Sequence, residues 1–273
     1  MRFFVKRQEI VYSYHMTDLA LTLIQTKLHW QDPKANRAHF EQLIQGIDGA
    51  TNVIILPEMF TTGFTMAAKG YAEPDSGETL NWMVQQAQQS QAVITGSIIT
   101  EVQGHFFNRL YWVEPNGSFK YYDKKHLFSY ADEDQHFTAG RERLVVEYRG
   151  WRICPLICYD LRFPVWSRNN IDYDVLIYIA NWPAPRQEAW QTLLKARAIE
   201  NMSYVAGVNR IGTDGNDHHY AGGSIVYDAL GQPLTKNHNN QAFTKSVILN
   251  RLELKHHRQR FGFLNDRDHF TLK

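Results

Sequence analysis

A cysteine, a lysine and a glutamate, each close behind an apolar run, are the side chains of this sequence best suited to covalent chemistry. Cys158 follows the run from Ile153 to Ile157, which reads as a buried strand. Pro164 then suits the first turn of a helix continuing through Val165 and Trp166. A thiol at such a strand-to-helix turn is pushed outward beside backbone N–H groups, where a nucleophile and an oxyanion site belong together. Glu58 follows Ile54-Ile55-Leu56, and Lys124 leaves a hairpin at Tyr122-Asp123. In α/β sheets, sites form where strands end. An ammonium near a thiol lowers its pKa and steadies a developing oxyanion. A carboxylate can take the thiol proton, protonate a leaving amine and later activate water. Each residue also has a plainer reading. Free cysteines are commonly buried and inert, and a single Glu or Lys is usually a solvated surface charge.

The elements that must position these groups are legible from periodicity. Leu19 to Gln25 is a first strand. Asp32-Pro33 supplies a cap and a helix-compatible proline, followed by Phe40, Leu43, Ile44 and Ile47 at helical spacing, with Gly49 as the stop. Val53 to Phe60 reads as a buried strand carrying Glu58, and 61–76 as a surface loop. A helix then turns Leu80, Met83, Val84 and Ala87 inward, and Ala92 to Ile99 is the next strand. Phe106 to Val113 and Ser118 to Tyr122 form a hairpin about Pro115-Asn-Gly117. After a polar loop, Ser129 to Gly140, a second hairpin turns at Arg149-Gly150 into the Cys158 strand. Val175 to Ala180 is a buried strand, and the helix after it has Trp190, Leu193, Leu194, Ala198 and Ile199 as its core stripe. Tyr204 to Asn209, Gly222 to Asp228 and Val247 to Leu249 are further strands, with a polar tail from Lys255. Adjacent hairpins beside crossover helices predict mixed sheets.

Length and composition narrow the class. At 273 residues the chain can bury a substantial core, and no linker or repeat interrupts residues 16–273, which read as one domain. A net charge of +1 recommends neither nucleic acid nor an anionic membrane as partner. Two cysteines make no disulfide framework, which suits a reducing cytoplasm. Residues 1–15 read as an upstream extension with little fixed structure, with Met16 as the working start; an added N-terminal strand or arm is the alternative. His218-His219 and His256-His257 lack partners at familiar ligand spacing, so no metal is expected, and no glycine-rich phosphate loop calls for a nucleotide. Asp160 and Arg162 are expected to fix the turn at Cys158 by ion pairing and not to take part in the chemistry.

Three separated blocks, Leu56-Pro-Glu58-Met-Phe60, Tyr122-Asp-Lys124-Lys-His126-Leu-Phe128 and Leu156-Ile-Cys158-Tyr-Asp160-Leu-Arg-Phe-Pro164, resemble the nitrilase superfamily of carbon–nitrogen hydrolases. Asn108, the Ala196-Arg197-Ala198-Ile-Glu200-Asn201 helix and Asn209-Arg210-Ile-Gly212 support the match, which covers roughly Thr17 to the C-terminal tail. The resemblance implies a four-layer α-β-β-α sandwich of two mixed sheets, homodimers or larger homo-oligomers, and no cofactor. It places a catalytic triad on Glu58, Lys124 and Cys158. Lys124 is preferred to Lys125 because the family lysine lies two residues before the His-Leu pair. A second glutamate falls on Glu133, with Asp132 and Asp134 close by, and the N–H of Tyr159 completes the oxyanion hole.

Within that family Cys158-Tyr-Asp-Leu-Arg-Phe-Pro164 looks like the amide-hydrolysing branch, and Asn181-Trp-Pro-Ala-Pro-Arg186 with Trp190 looks like the omega-amidases. The expected substrates are then small 2-oxo acid monoamides such as 2-oxoglutaramate and 2-oxosuccinamate. A distal carboxylate on such a substrate calls for a cationic anchor. Arg186 is the candidate, with Phe64 and Trp182 as an apolar wall. The alternatives are an N-carbamoyl amino acid or other small-amide hydrolase, and, from a different class, a non-catalytic binding or scaffold member.

Overall fold

The computed structural model describes residues 18–236 and 238–272. Residues 1–15 and Met16 lie outside the described residues, so the expectation of an extension is not addressed by the fold.

Period-two alternation builds the first large sheet. Its strands run Phe243–Leu249, Leu19–Gln25, Val53–Ile55, Val93–Val102, His105–Val113 and Phe119–Asp123, with Glu73–Pro74 added beside Val93–Val102. Leu19, Leu21, Leu23, Val53, Ile55, Leu110 and Trp112 point to one side and share a core with the second sheet. Ile24, Ile54, Ile94, Tyr111 and Val113 point to the other, against the helices Pro33–Gln45 and Glu78–Ser90 through Phe40, Ile44, Leu80 and Met83. The second sheet orders Ile225–Tyr227, Tyr204–Asn209, Val175–Ala180, Trp151–Ile157 and Val146–Tyr148. Trp190, Leu194 and Ala198 of the helix Gln187–Asn201 cover it and belong to the same core as its strands. Both sheets combine parallel and antiparallel pairs. The expected α-β-β-α sandwich is thus present.

Several local expectations change. The first helix ends at Gly46, whose N–H reaches the Gln42 and Ile44 carbonyls, three residues before Gly49. The strand before Glu58 is three residues long, and Glu58 lies in the turn beyond it. The first part of the 61–76 segment is no surface loop, whereas residues 74–76 are exposed. Thr61, Thr62 and Thr65 are buried, because Asn36 donates to the Thr61 carbonyl at 2.6 Å and Gln31 to the Thr65 hydroxyl at 2.8 Å. Ile199 is 47% exposed, while Arg197 is buried and donates to the Leu161 carbonyl. The polar tail folds as a helix, Arg251–Phe261, capped by the Asn250 side chain and anchored by buried Leu254. Two further strands, Ile211–Thr213 and His219–Ala221, form a separate hairpin. Among the described residues no helix is long and apolar enough to cross a membrane.

Candidate active site

Both sheets contribute to one constellation. Cys158 begins the short 3-10 helix Cys158–Arg162 directly after its strand, with φ +42, a strained conformation for a side chain bearing a Cβ. Asp160 ties this turn down. It accepts from the Ile157 N–H at 3.0 Å, the Tyr122 hydroxyl at 2.7 Å, and the His126 N–H and Nδ1 at 3.0 and 2.8 Å. These contacts lock the turn to the segment carrying Lys124. His126 is further fixed by stacking on Phe163, 3.6 Å between ring centres.

Lys124 is anchored at both main-chain groups. Its N–H donates to the Asn108 carbonyl at 3.0 Å, and its carbonyl accepts from Gly140 at 2.8 Å. Gly140 must lack a side chain there, since a Cβ would lie 2.0 Å from the Asp123 carbonyl oxygen. The Lys124 ammonium is fully buried between two carboxylates. Nζ lies 2.9 Å from Glu58 Oε1, and 3.0 and 2.8 Å from Glu133 Oε1 and Oε2. Glu133 starts a one-turn helix and is buried, whereas Asp132 and Asp134 are exposed, which separates the three acids of that loop. Phe128 N–H also donates to Glu133 Oε2 at 2.6 Å.

Neutral amides complete the arrangement. Asn108 Nδ2 donates to Glu58 Oε1 at 2.8 Å and to Glu133 Oε1 at 3.3 Å. Asn181, just beyond the strand Val175–Ala180, gives its N–H to Glu58 Oε2 at 2.8 Å and its side-chain N–H to the Glu58 carbonyl at 2.6 Å. The Asn181 carbonyl lies 3.9 Å from Cys158 Sγ. Neither amide carries a charge pattern that sequence reasoning can pick out. Their positions within and behind buried strands were the available signal.

The electrostatics correct one expectation. Burial alone would lower the Lys124 pKa, but Glu133 and Glu58 together outweigh it and hold the ammonium above its ordinary value. Burial raises the Glu133 pKa; Lys124 opposes this and Glu58 adds to it. Cys158 lies well above the ordinary thiol value, first by burial and then by the Glu58 carboxylate, with Lys124 pulling the other way. Burial and Glu58 thus outweigh the lowering by a neighbouring ammonium that the sequence led one to expect. Cys154, deeper in the strand, is pushed up to about 12 by burial.

Of these groups, Lys124, Cys158 and Asn181 line a cavity of about 400 Å³. Phe64 forms one wall, with its ring 5.1 Å from Lys124 Nζ. Trp182, buried, donates from Nε1 to the Arg186 carbonyl at 2.8 Å. Arg186 lies 5.2 Å over the Phe128 ring and Arg162 4.9 Å over Trp182, so both guanidinium groups reach the cavity wall. Tyr130, His218 and His219 line it as well. The histidine pair, read from sequence as bystanders, comes to the wall through the Ile211–Thr213 and His219–Ala221 hairpin, whose strands are too short to show a period. Among the described residues no group of His, Cys, Asp or Glu is placed to hold a metal ion.

Comparison with known proteins identifies the family. The chain is 49% identical to omega-amidase YafV of Escherichia coli (strain K12) over 94% of its length and all of that protein. It is 31% identical to the 2-oxoglutaramate amidase of Bacillus subtilis (strain 168), over 84% of this chain and 90% of that one. Its fold matches the crystal structure of XC1258 from Xanthomonas campestris, a CN-hydrolase superfamily protein with an arsenic adduct in its active site. The TM-score is 0.91 at 45% identity, covering 94% of this chain and 99% of the other. The carbon-nitrogen hydrolase family model matches residues 20–259, and the chain belongs to that family.

Proposed function

We propose that this protein is an omega-amidase, hydrolysing the terminal amide of small 2-oxo acid monoamides such as 2-oxoglutaramate and 2-oxosuccinamate to the dicarboxylate and ammonia. The observation that carries the reading is the buried Lys124, held between Glu58 and Glu133, which lines one cavity together with Cys158, Arg162 and Arg186. The near full-length likeness to an omega-amidase and to a 2-oxoglutaramate amidase supports the substrate class.

Cys158 Sγ attacks the amide carbon as its proton passes to Glu58. Oε1 of Glu58 already accepts from Lys124 and Asn108, while Oε2 accepts from Asn181 alone, so Oε2 is the proton-accepting oxygen. The oxyanion is stabilised by the Lys124 charge and by the Tyr159 N–H, which lies in the first turn of a helix. Glu58 returns the proton to nitrogen, the C–N bond breaks, and ammonia leaves a thioester on Cys158. Glu58 then deprotonates water for attack on the thioester; collapse releases the acid, and sulfur recovers its proton. Glu133 already accepts on both oxygens, from Lys124, Asn108 and Phe128, and so serves to hold Lys124 and not as a second base. Arg186, joined by Arg162, receives the distal carboxylate against Phe64 and Trp182.

The finer reading includes a single domain over 16–273, a homo-oligomer and a cytoplasmic location. Exposed Val165 and Ile199 beside the nucleophile turn suit a subunit contact, and two free thiols suit a reducing compartment. The deciding experiment is ammonia release from 2-oxoglutaramate and 2-oxosuccinamate, beside glutamine, asparagine, a simple nitrile and an N-carbamoyl amino acid, with Cys158→Ala as control. Fast turnover of the oxo-amides alone is expected. Activity confined to another substrate of the panel overturns the specificity, and wild-type turnover by Cys158→Ala overturns the mechanism.

A further inference from the structure

Asn108 stands where the charges of the site meet, yet does not line the cavity. It is fully buried in the strand His105–Val113, and its carbonyl fixes the Lys124 N–H. Its Nδ2 is inserted between Glu58 and Glu133, while its Oδ1 has no hydrogen-bond partner among the described residues. An orphaned buried acceptor is costly, so something must hold the amide in this orientation. The two carboxylates do so: a flipped amide would turn its oxygen against both.

We propose that Asn108 is a positioning residue that turns Glu58 so that a single lone pair, on Oε2, remains for the Cys158 proton. The proposal rests on Glu58 as the proton acceptor. Without the Asn108 donor, Oε1 keeps Lys124 alone, and the carboxylate can rotate to offer either oxygen or to spread over the ammonium. The amide also places a neutral donor between two carboxylates that would otherwise face each other across one lysine. The charged and titratable groups facing it are Glu58, Glu133 and Lys124, with Cys158 beyond Glu58. Its neighbour Arg109 points to the opposite side of the strand, where it pairs with Asp123 and Asp75.

The isosteric Asn108→Asp variant gives a signature that a purely structural role would not. A carboxyl inserted between two buried carboxylates has its pKa raised by burial and by both like charges. Protonated, it donates to Glu58 as the amide does; ionised, it repels it. Measured with 2-oxoglutaramate between about pH 5.5 and 9, kcat of N108D should stay within about threefold of wild type at the acid end. It should fall about 10- to 100-fold at the alkaline end, the worth of one hydrogen bond to a charged group. KM should stay flat. Asn108→Ala should lose the same factor at every pH. An N108D profile that parallels wild type, or an N108A kcat equal to wild type, overturns the proposal; N108A decides alone if N108D does not fold.

Alkylation of Cys158 by iodoacetamide gives the same comparison without relying on the substrate. N108D should be alkylated progressively more slowly than wild type as pH rises. If Glu58→Gln is alkylated as fast as wild type, the reading of Glu58 falls and takes this proposal with it. Slow E58Q beside a wild-type N108D profile overturns the proposal alone.

Discussion

Glu133 meets Lys124 through both carboxylate oxygens, at 3.0 and 2.8 Å, whereas Glu58 meets it through one, at 2.9 Å. The lysine is therefore held chiefly by the glutamate whose oxygens are all occupied, which leaves the other carboxylate a free position near the sulfur. Two buried negative charges share one positive charge, and this imbalance governs how substitutions should behave.

Replacing Lys124 by Met leaves Glu58 and Glu133 without their common cation. Breaking a buried ion pair costs about 3–5 kcal/mol, and urea denaturation should register a loss of that order. Turnover should fall by at least ~10²–10³, the usual worth of one oxyanion donor. A K124M enzyme of wild-type stability would mean that the carboxylates are not ionised together.

Glu58→Gln separates two effects of opposite sign. The Glu58 charge raises the Cys158 pKa, so its removal on electrostatic grounds alone leaves more thiolate and faster alkylation at neutral pH. If Glu58 takes the thiol proton, alkylation slows instead. We expect slowing by more than about tenfold, the low end for loss of a general base. Iodoacetamide kinetics at fixed pH decides the sign.

The raised pKa of Glu133 makes stability depend on pH in a defined window. Its folded value lies above the ordinary 4.5, so the folded protein holds this proton more tightly than the unfolded chain. Stability should decline as pH rises from 4.5 through the folded value, and the decline should be complete above it. Lys124, also raised, contributes its full stabilisation at every pH below 10.5 and adds no slope in this window. Urea midpoints across the acid range should show a slope in wild type that Glu133→Gln reduces; an identical slope in both proteins assigns it elsewhere.

Arg186→Ala should raise KM for 2-oxoglutaramate about tenfold or more while leaving an uncharged small amide unaffected, because a charged hydrogen bond is worth roughly 1.5–3 kcal/mol. Equal losses on charged and uncharged substrates would make Arg186 a structural support for Phe128 and not an anchor.

Much of this was readable from residue order. Leu19–Gln25, Val175–Ala180 and Tyr204–Asn209 fall where their apolar runs lie, and Asp32 caps the first helix as its position before Pro33 requires. Glu58, Lys124 and Cys158 each lie just beyond a strand, though only Cys158 directly closes a buried apolar run. Less was readable where tertiary contact decides. Asp160 finds three donors on the distant Tyr122 and His126, besides the Ile157 N–H of its own turn, and Arg162 finds the Trp182 ring. The thiol pKa follows burial more than neighbouring charge, and burial is a property of the assembled sheets. Arg197 outcompetes Ile199 for the interior because the Leu161 carbonyl waits there for a donor.

The strand Leu19–Gln25 pairs along its whole length with Phe243–Leu249. One flank of the sheet that bears Glu58 and Lys124 is thus sealed by a segment made more than two hundred residues later, after every strand of the Cys158 sheet. Until that segment is synthesised, Leu-Ala-Leu-Thr-Leu-Ile-Gln offers a ladder of unpaired amide and carbonyl groups with few charges to deter a partner. A nascent chain stalled short of Phe243 is therefore a sticky intermediate, and translation reaching residue 249 is the event that closes it.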